Sequence, residues 1–153
     1  MASFHDLNIK NIIKETNDSV VISFDVPDEL MKKYTYSAGQ YTSLKVIINE
    51  EEIIRDYSIC SHNDEDLSIG VKKLENGLMS SFLNSSTKIG DSMKVSEPRG
   101  RFTIQSDFNS IIAIAAGSGI TPIMSMLKQT LFNTDKTFYL IYSNKSHQTT
   151  MFL

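Results

Sequence analysis

Arg55, Tyr57 and Ser58 stand within four residues of one another and together supply a cation, a flat aromatic plate and a hydroxyl. Further along, Gly117-Ser118-Gly119-Ile120-Thr121-Pro122 follows an apolar run and precedes a helix-like pattern. In that setting glycines let a phosphate approach the backbone near the positive end of a helix. A phosphate-bearing flat heterocycle such as a flavin needs what the first group offers: a stacking partner, a hydrogen-bonding group near its reactive ring nitrogen, and compensation for its negative charge. On one extended strand Arg55 and Tyr57 project to one side and Ser58 to the other, so a single strand end addresses both ring and phosphate. The same letters also describe a surface arginine and a half-buried strand tyrosine. The order and separation of the two motifs carry the chemical reading.

Between them, Asn76-Gly77-Leu78-Met79-Ser80-Ser81 enters a short helical pattern with small and hydroxyl residues first, where free backbone N–H groups can receive a pyrophosphate. An ordinary capped helix has the same signature. Lys72 and Lys73 precede it and add positive charge. The glycine turn reads Gly-x-Gly-x-Thr-Pro, and no acidic residue closes the strand after it to grip a ribose 2′-hydroxyl; Ser143, Asn144 and Lys145 stand there instead. A hydroxyl and a cation suit a 2′-phosphate, which leans towards NADPH over NADH. Cys60 is the only cysteine and the three histidines are far apart, so this chain's own thiolates cannot hold a four-cysteine iron–sulfur cluster, and zinc-type spacing is missing. We expect no metal site.

The elements that must position these residues fall into two groups. Short β-type runs at 7–13, 20–26, 41–48, 53–60, 67–73 and 92–95, broken by turn residues, indicate an antiparallel barrel or sandwich. Val20, Ile22, Phe24 and Val26 share one face by the two-residue period. A helical turn is expected at 28–34 and a short helix at 77–84. The apolar run 111–116 reads as a parallel strand covered on both faces. Thr121 then caps a helix with Pro122 at its first position and Ile123, Met124, Leu127 and Leu131 on its inner face. A return strand spans 137–142. This single β-α-β unit leaves one sheet face bare, and a homodimer through that unfinished lobe is one expectation.

The 153 residues are 41% hydrophobic and 22% charged with three prolines, a globular composition. The net charge of −3 comes without a basic stripe, so nucleic acid is not an expected partner. No apolar stretch approaches the roughly 20 residues of a membrane span, and the first residues lack the pattern of a signal peptide. The expectation is a cytoplasmic protein with no membrane partner.

Taken together, the motifs resemble the ferredoxin–NADP reductase superfamily, in particular flavodoxin reductases and oxygenase reductase components of the phenylacetyl-CoA epoxidase type. Ala38-Gly39-Gln40-Tyr41 is similar to the family's Pro-Gly-Gln-Tyr turn, the segment 55–60 to its flavin motif, and Gly77 to Ser80 to its pyrophosphate turn. Pro98-Arg99-Gly100-Arg101-Phe102 resembles the joint between its lobes, and Gly117 to Pro122 its nicotinamide-nucleotide turn. The resemblance implies a six-stranded antiparallel Greek-key flavin barrel over residues 1–105 and a partial parallel β-α-β nucleotide lobe over 106–153. It implies FAD as cofactor and NADPH or NADH as electron donor, with a ferredoxin or oxygenase component as one-electron acceptor. Tyr57 would stack on the flavin ring, Ser58 would hydrogen-bond near N5, Arg55 with Ser80 would hold the pyrophosphate, and Thr121 would lie near the nicotinamide. Ile59, Val71, Lys72, Lys73, Gly77, Leu78 and Met79 complete the flavin set, and Gly117, Gly119, Pro122, Ser143 and Lys145 the nucleotide set.

Overall fold

A computed structural model describes residues 3–104 and 108–153. Alternating apolar residues build six strands: β1 (Phe4–Thr16), β2 (Ser19–Asp25), β3 (Tyr41–Ile48), β4 (Glu51–Ser58), β5 (Ser68–Lys72) and β6 (Ser92–Ser96). They form one antiparallel sheet in the order β4-β3-β6-β1-β2-β5. The two ends of that order meet where Ile59 bridges Ile69 and the Cys60 N–H donates to the Ser68 carbonyl at 2.9 Å, so the sheet closes on itself. Val20, Ile22 and Phe24 are buried in one core, against which Val26 packs, with Leu7, Ile9, Leu44, Ile69 and Val95. Tyr34 and Tyr36 reach this core with their hydroxyls satisfied, Tyr34 donating to the Val95 carbonyl and Tyr36 pairing with Ser61, each at 2.8 Å.

Two features of this sheet bear on the site. Asn49 and Glu50 both have positive φ, 52° and 68°, which is the two-residue hairpin turn whose twist matches paired strands. That turn sets the register Leu44↔Arg55 and Tyr41↔Ser58, and puts β4 at the end of the sheet order. The connection from β5 to β6 carries α1 (Leu78–Ser85), and a 3-10 turn (Asp28–Lys33) follows β2.

The second group is β7 (Ser110–Ala116), α2 (Ile120–Asn133) and β8 (Thr137–Ser143), a parallel β-α-β unit. Ala113 and Ala115 face Ile120, Ile123, Met126 and Met151 in a second core. The expectation of cover on both faces of residues 111–116 does not hold. Ile112 and Ile114 are 70% and 75% exposed, opposite Tyr139 and Ile141 at 57% and 60%, so one face of this sheet is bare. The helix start also differs from expectation. A 3-10 turn (Gly117–Gly119) runs into α2, Gly119 is its N-cap, and Thr121 lies inside the first turn, where its hydroxyl donates back to the Ser118 carbonyl at 3.0 Å. Leu131 is 55% exposed, whereas Ser125 is buried and donates to the Ser61 carbonyl of the barrel.

After β8 the chain returns to the barrel. Lys72 donates to the Thr149 carbonyl at 2.6 Å, and the Phe152 N–H donates to the Glu15 carboxylate at 3.1 Å. The boundary expected between residues 105 and 106 lies outside the described residues.

Candidate cofactor cleft

Three segments distant in sequence line one cleft of about 540 Å³: Arg55 to Ser58 at the end of β4, Leu74 and residues 76–80 at the start of α1, and Ser118, Gly119, Thr121 and Pro122 at the start of α2. Gly70 and Lys72 of β5 form part of its wall. The volume falls within the roughly 300–1,000 Å³ of small-molecule sites. Thus the two motifs that the sequence keeps some sixty residues apart share one cavity.

Tyr57 and Ser58 make no side-chain hydrogen bond among the described residues, so both hydroxyls are available to a ligand. Burial pushes the Tyr57 phenol up to about 12, and the neighbouring Arg55 charge only partly offsets this. The ring is therefore neutral near pH 7. Arg55 is exposed, donates to its neighbour's carbonyl at Ile54 at 2.7 Å, and faces no carboxylate within ion-pair distance among the described residues. Its charge is free for an anion. Asp56, one residue on, also lines the cleft but is already engaged: it accepts from Ser43 and lies 3.6 Å from Arg99, which itself stacks over Tyr41 at 5.3 Å.

At the start of α1, Asn76 takes a positive φ of 59° and no side chain caps the helix at Gly77. Its first N–H groups are left to face a ligand. Ser80 is buried and holds this turn together, accepting from the Leu74 N–H at 3.1 Å and donating to the Gly77 carbonyl at 3.2 Å.

The sequence of residues 6–104 matches the profile of the oxidoreductase FAD-binding domain family. The chain belongs to that family. Residues 113–153 match the oxidoreductase NAD-binding domain. A component of 1,2-phenylacetyl-CoA epoxidase from Escherichia coli K12 is 37% identical over 157 residues, covering 99% of this chain and 44% of the relative. The ferredoxin reductase component of 3-ketosteroid-9-alpha-monooxygenase from Rhodococcus rhodochrous is 32% identical, covering 95% of this chain and 42% of the relative. Among solved structures, phthalate dioxygenase reductase superimposes with a TM-score of 0.82 at 28% identity, covering 98% of this chain and 46% of that one. The chain spans less than half the length of these relatives.

The residues of this FAD-binding domain fit the cofactor its family is named for. The cleft supplies an aromatic plate, an exposed cation and an uncapped helix start together. Other expected residues lie differently. Ile59 and Val71 are fully buried in the barrel core, which closes their side chains to a ligand. Lys72 lines the cleft, but its ammonium is engaged by Thr149 and lies 3.6 Å from Asp18; Lys73 is exposed outside the lining. Gly117, Ser143 and Lys145 also lie off the lining, Gly117 with φ of 51° and its carbonyl accepting from the Tyr142 hydroxyl at 3.1 Å. Gly70 and Leu74 are lining residues that lie outside the motifs. A glycine inside a strand pattern is the one signal that could have drawn attention to Gly70.

Proposed function

We propose that this chain is the flavin-bearing part of an NAD(P)H oxidoreductase that passes electrons to a one-electron acceptor, a ferredoxin or an oxygenase component. The observation that carries the reading is the shared cleft, which the end of β4 and the start of α2 both line. Relatives named as reductase components of oxygenases support it, as does the description of phthalate dioxygenase reductase as a modular structure for electron transfer from pyridine nucleotides to [2Fe-2S].

FAD, when bound, supplies the conversion between two-electron hydride chemistry and one-electron release. The chain's own residues do the rest. Tyr57 would offer its face to the ring and Ser58 a hydroxyl to its reactive nitrogen. Arg55 and the N–H groups at the start of α1 offset the pyrophosphate charge, while Ser80 holds that turn in shape rather than meeting phosphate directly. Gly119, Thr121 and Pro122 form the side that receives the nicotinamide. Ser143 and Lys145, beyond β8, give a hydroxyl and a cation suited to a 2′-phosphate, hence a preference for NADPH. In this reading the protein works in the cytoplasm, and among the described residues no helix is long and apolar enough to cross a membrane.

The test is the visible spectrum of protein supplied with FAD, recorded anaerobically before and after NADPH and then NADH. Bands that bleach with either nucleotide support the reading, and bands that persist refute its nucleotide half. A second reading, a flavin-binding or interaction module without nucleotide-driven activity, rests on the bare face of Ile112, Ile114, Tyr139 and Ile141. In it, a second copy covers that face. Sedimentation of the parent and Ile114→Glu tests it: a dimer abolished by the charge supports it, and a monomeric parent rules it out.

A further inference from the structure

The side of α2 that faces the barrel carries a row of four residues at spacings of four, three and four: Thr121, Ser125, Lys128 and Phe132. Those spacings keep the row on one face over about 16 Å of helix. Each member meets a named barrel group. The Thr121 methyl fills the space left by the missing side chain of Gly70. Ser125, fully buried, donates to the Ser61 carbonyl at 2.6 Å. Lys128 pairs with Glu65 at 2.9 and 3.1 Å. Phe132 stacks on His62 with centroids 4.7 Å apart and planes at 28°.

Three of those four barrel groups lie in residues 61–65, which are themselves held firmly. The Ser61 hydroxyl accepts from the Ser68 N–H at 3.0 Å and pairs with Tyr36, and the His62 N–H donates to Glu65 at 3.1 Å. This segment begins three residues after Ser58, so it continues the strand that presents Tyr57 and Ser58 to the cleft. At its other end, α2 presents Gly119, Thr121 and Pro122 to the same cleft. Both walls are thus referenced to one stretch of chain.

We propose that this row is an alignment seam, with Ser125 as its central positioning residue, that sets the distance and angle between the nucleotide side and the flavin side of the cleft. The inference rests on the electron-transfer reading above. Reaction geometry is sensitive at this scale: a displacement of about 1 Å can lower a rate by roughly a hundredfold. The middle of the seam, at Ser125 and Lys128, is polar. A hydrogen bond, an ion pair and a ring stack fix direction, whereas an apolar contact alone would allow the helix to slide.

The test compares Ser125→Ala, Lys128→Met and Lys128→Arg with the parent, each supplied with FAD. Hydrogen exchange is read at 118–133 and, as an internal control, in β1 to β3. The anaerobic rate of flavin bleaching by NADPH and NADH is read alongside. Removing the Ser125 hydroxyl should speed exchange across 118–133 about tenfold with β1 to β3 unchanged. Flavin content should hold, while the limiting rate of bleaching falls at least tenfold with little change in the half-saturating nucleotide concentration. Lys128→Met should do the same more weakly, and Lys128→Arg should restore the parent behaviour; this pair decides the matter if Ser125→Ala does not fold. Unchanged exchange at 118–133 in both Ser125→Ala and Lys128→Met would overturn the seam. Faster exchange with unchanged bleaching would overturn the positioning role. A parent that neither nucleotide bleaches would overturn the electron-transfer reading and the positioning role with it, and its exchange pattern would separately show whether the seam exists.

Discussion

Gly70 to Ala is the smallest change that probes how the two halves of the cleft meet. Gly70 lies in β5 opposite Val21, in backbone that any residue can adopt, so alanine brings no conformational strain of its own. Its new Cβ would sit 2.5 Å from the Thr121 Cγ2, 3.2 Å from the Met151 Cε and 3.4 Å from the Phe152 Cζ. Methionine gives way easily. Thr121 does not, being β-branched, helical and tied through its hydroxyl to the Ser118 carbonyl. Since carbon atoms prefer about 3.5–4.0 Å, the start of α2 must retreat by about 1 Å. Overpacking of this kind costs about 1–3 kcal/mol, which for a chain of this size lowers Tm by roughly 3–10 °C. Thr121→Ser removes the offending methyl and keeps the hydroxyl, at a cost of about 1 kcal/mol alone. The double variant should therefore be more stable than the sum of the singles by about 1–2 kcal/mol. Thermal unfolding followed by circular dichroism on the parent, both singles and the double closes the cycle. Additivity to within about 0.5 kcal/mol, or a Gly70→Ala protein as stable as the parent, would refute the reasoning.

Gly119 gives the opposite case, because a Cβ built there meets nothing within 4 Å. Gly119→Val should leave thermal stability within about 0.5 kcal/mol of the parent while slowing NAD(P)H-dependent bleaching, and unaltered bleaching would remove Gly119 from the nucleotide side. Tyr57→Ala should weaken FAD binding by about tenfold or more, as the loss of a stacking partner is worth about 1–3 kcal/mol; fluorescence titration with FAD reads this directly, and an unchanged Kd would refute the stacking role. Partial burial pushes the Glu65 carboxyl up, but the Lys128 ammonium and the His62 N–H outweigh it and hold the group below its ordinary value. A depressed carboxylate contributes stability that is present above the unfolded value of about 4.3 and lost as pH falls through the folded one. The stability gap between the parent and Lys128→Met, at most about 1 kcal/mol for so exposed a pair, should therefore narrow from pH 7 to pH 3.5, and a gap independent of pH would contradict the pairing.

The local chemistry of the barrel was legible in the chain. The span 41–48 is β3 as expected, and the core face of Val20, Ile22 and Phe24 follows from alternation. The motif residues Arg55, Tyr57, Ser58, Gly77, Gly119 and Thr121 do line a common cleft, because each sits at the end of a regular element. What hydropathy missed is the docking of α2. Periodicity placed Leu131 inside, yet Leu131 is exposed and Ser125 is buried, since Ser125 donates across the lobes to a carbonyl 64 positions away. No local pattern encodes such a partner. Thr121 was misplaced for a related reason: the Gly117–Gly119 turn continues into the helix, so the hydroxyl that would have capped it is already one turn inside. Lys72, expected to add positive charge, does line the cleft, but its ammonium donates to the Thr149 carbonyl of the chain beyond β8, a partner that no local pattern marks.

The pairing of β1 has a consequence for how the protein is made. Its later half pairs with β2 across a short turn, from Asn8↔Asp25 to Thr16↔Ser19, but its first half pairs with β6, from Phe4↔Ser96 to Asn8↔Ser92. On a ribosome adding about 5–20 residues per second, the β1–β2 hairpin waits about 4–14 s for its other neighbour to be synthesised. Through that interval one edge of β1 is open to pairing with any passing strand, the hazard that charged side chains on an edge reduce. His5, Asp6, Lys10 and Lys14 lie on this strand, and in the finished barrel Asp6 binds Lys94 of the late-arriving β6 at 3.1 Å. The charges that shield the nascent edge thus come to rest in the closed sheet, one of them against the strand that ends the wait.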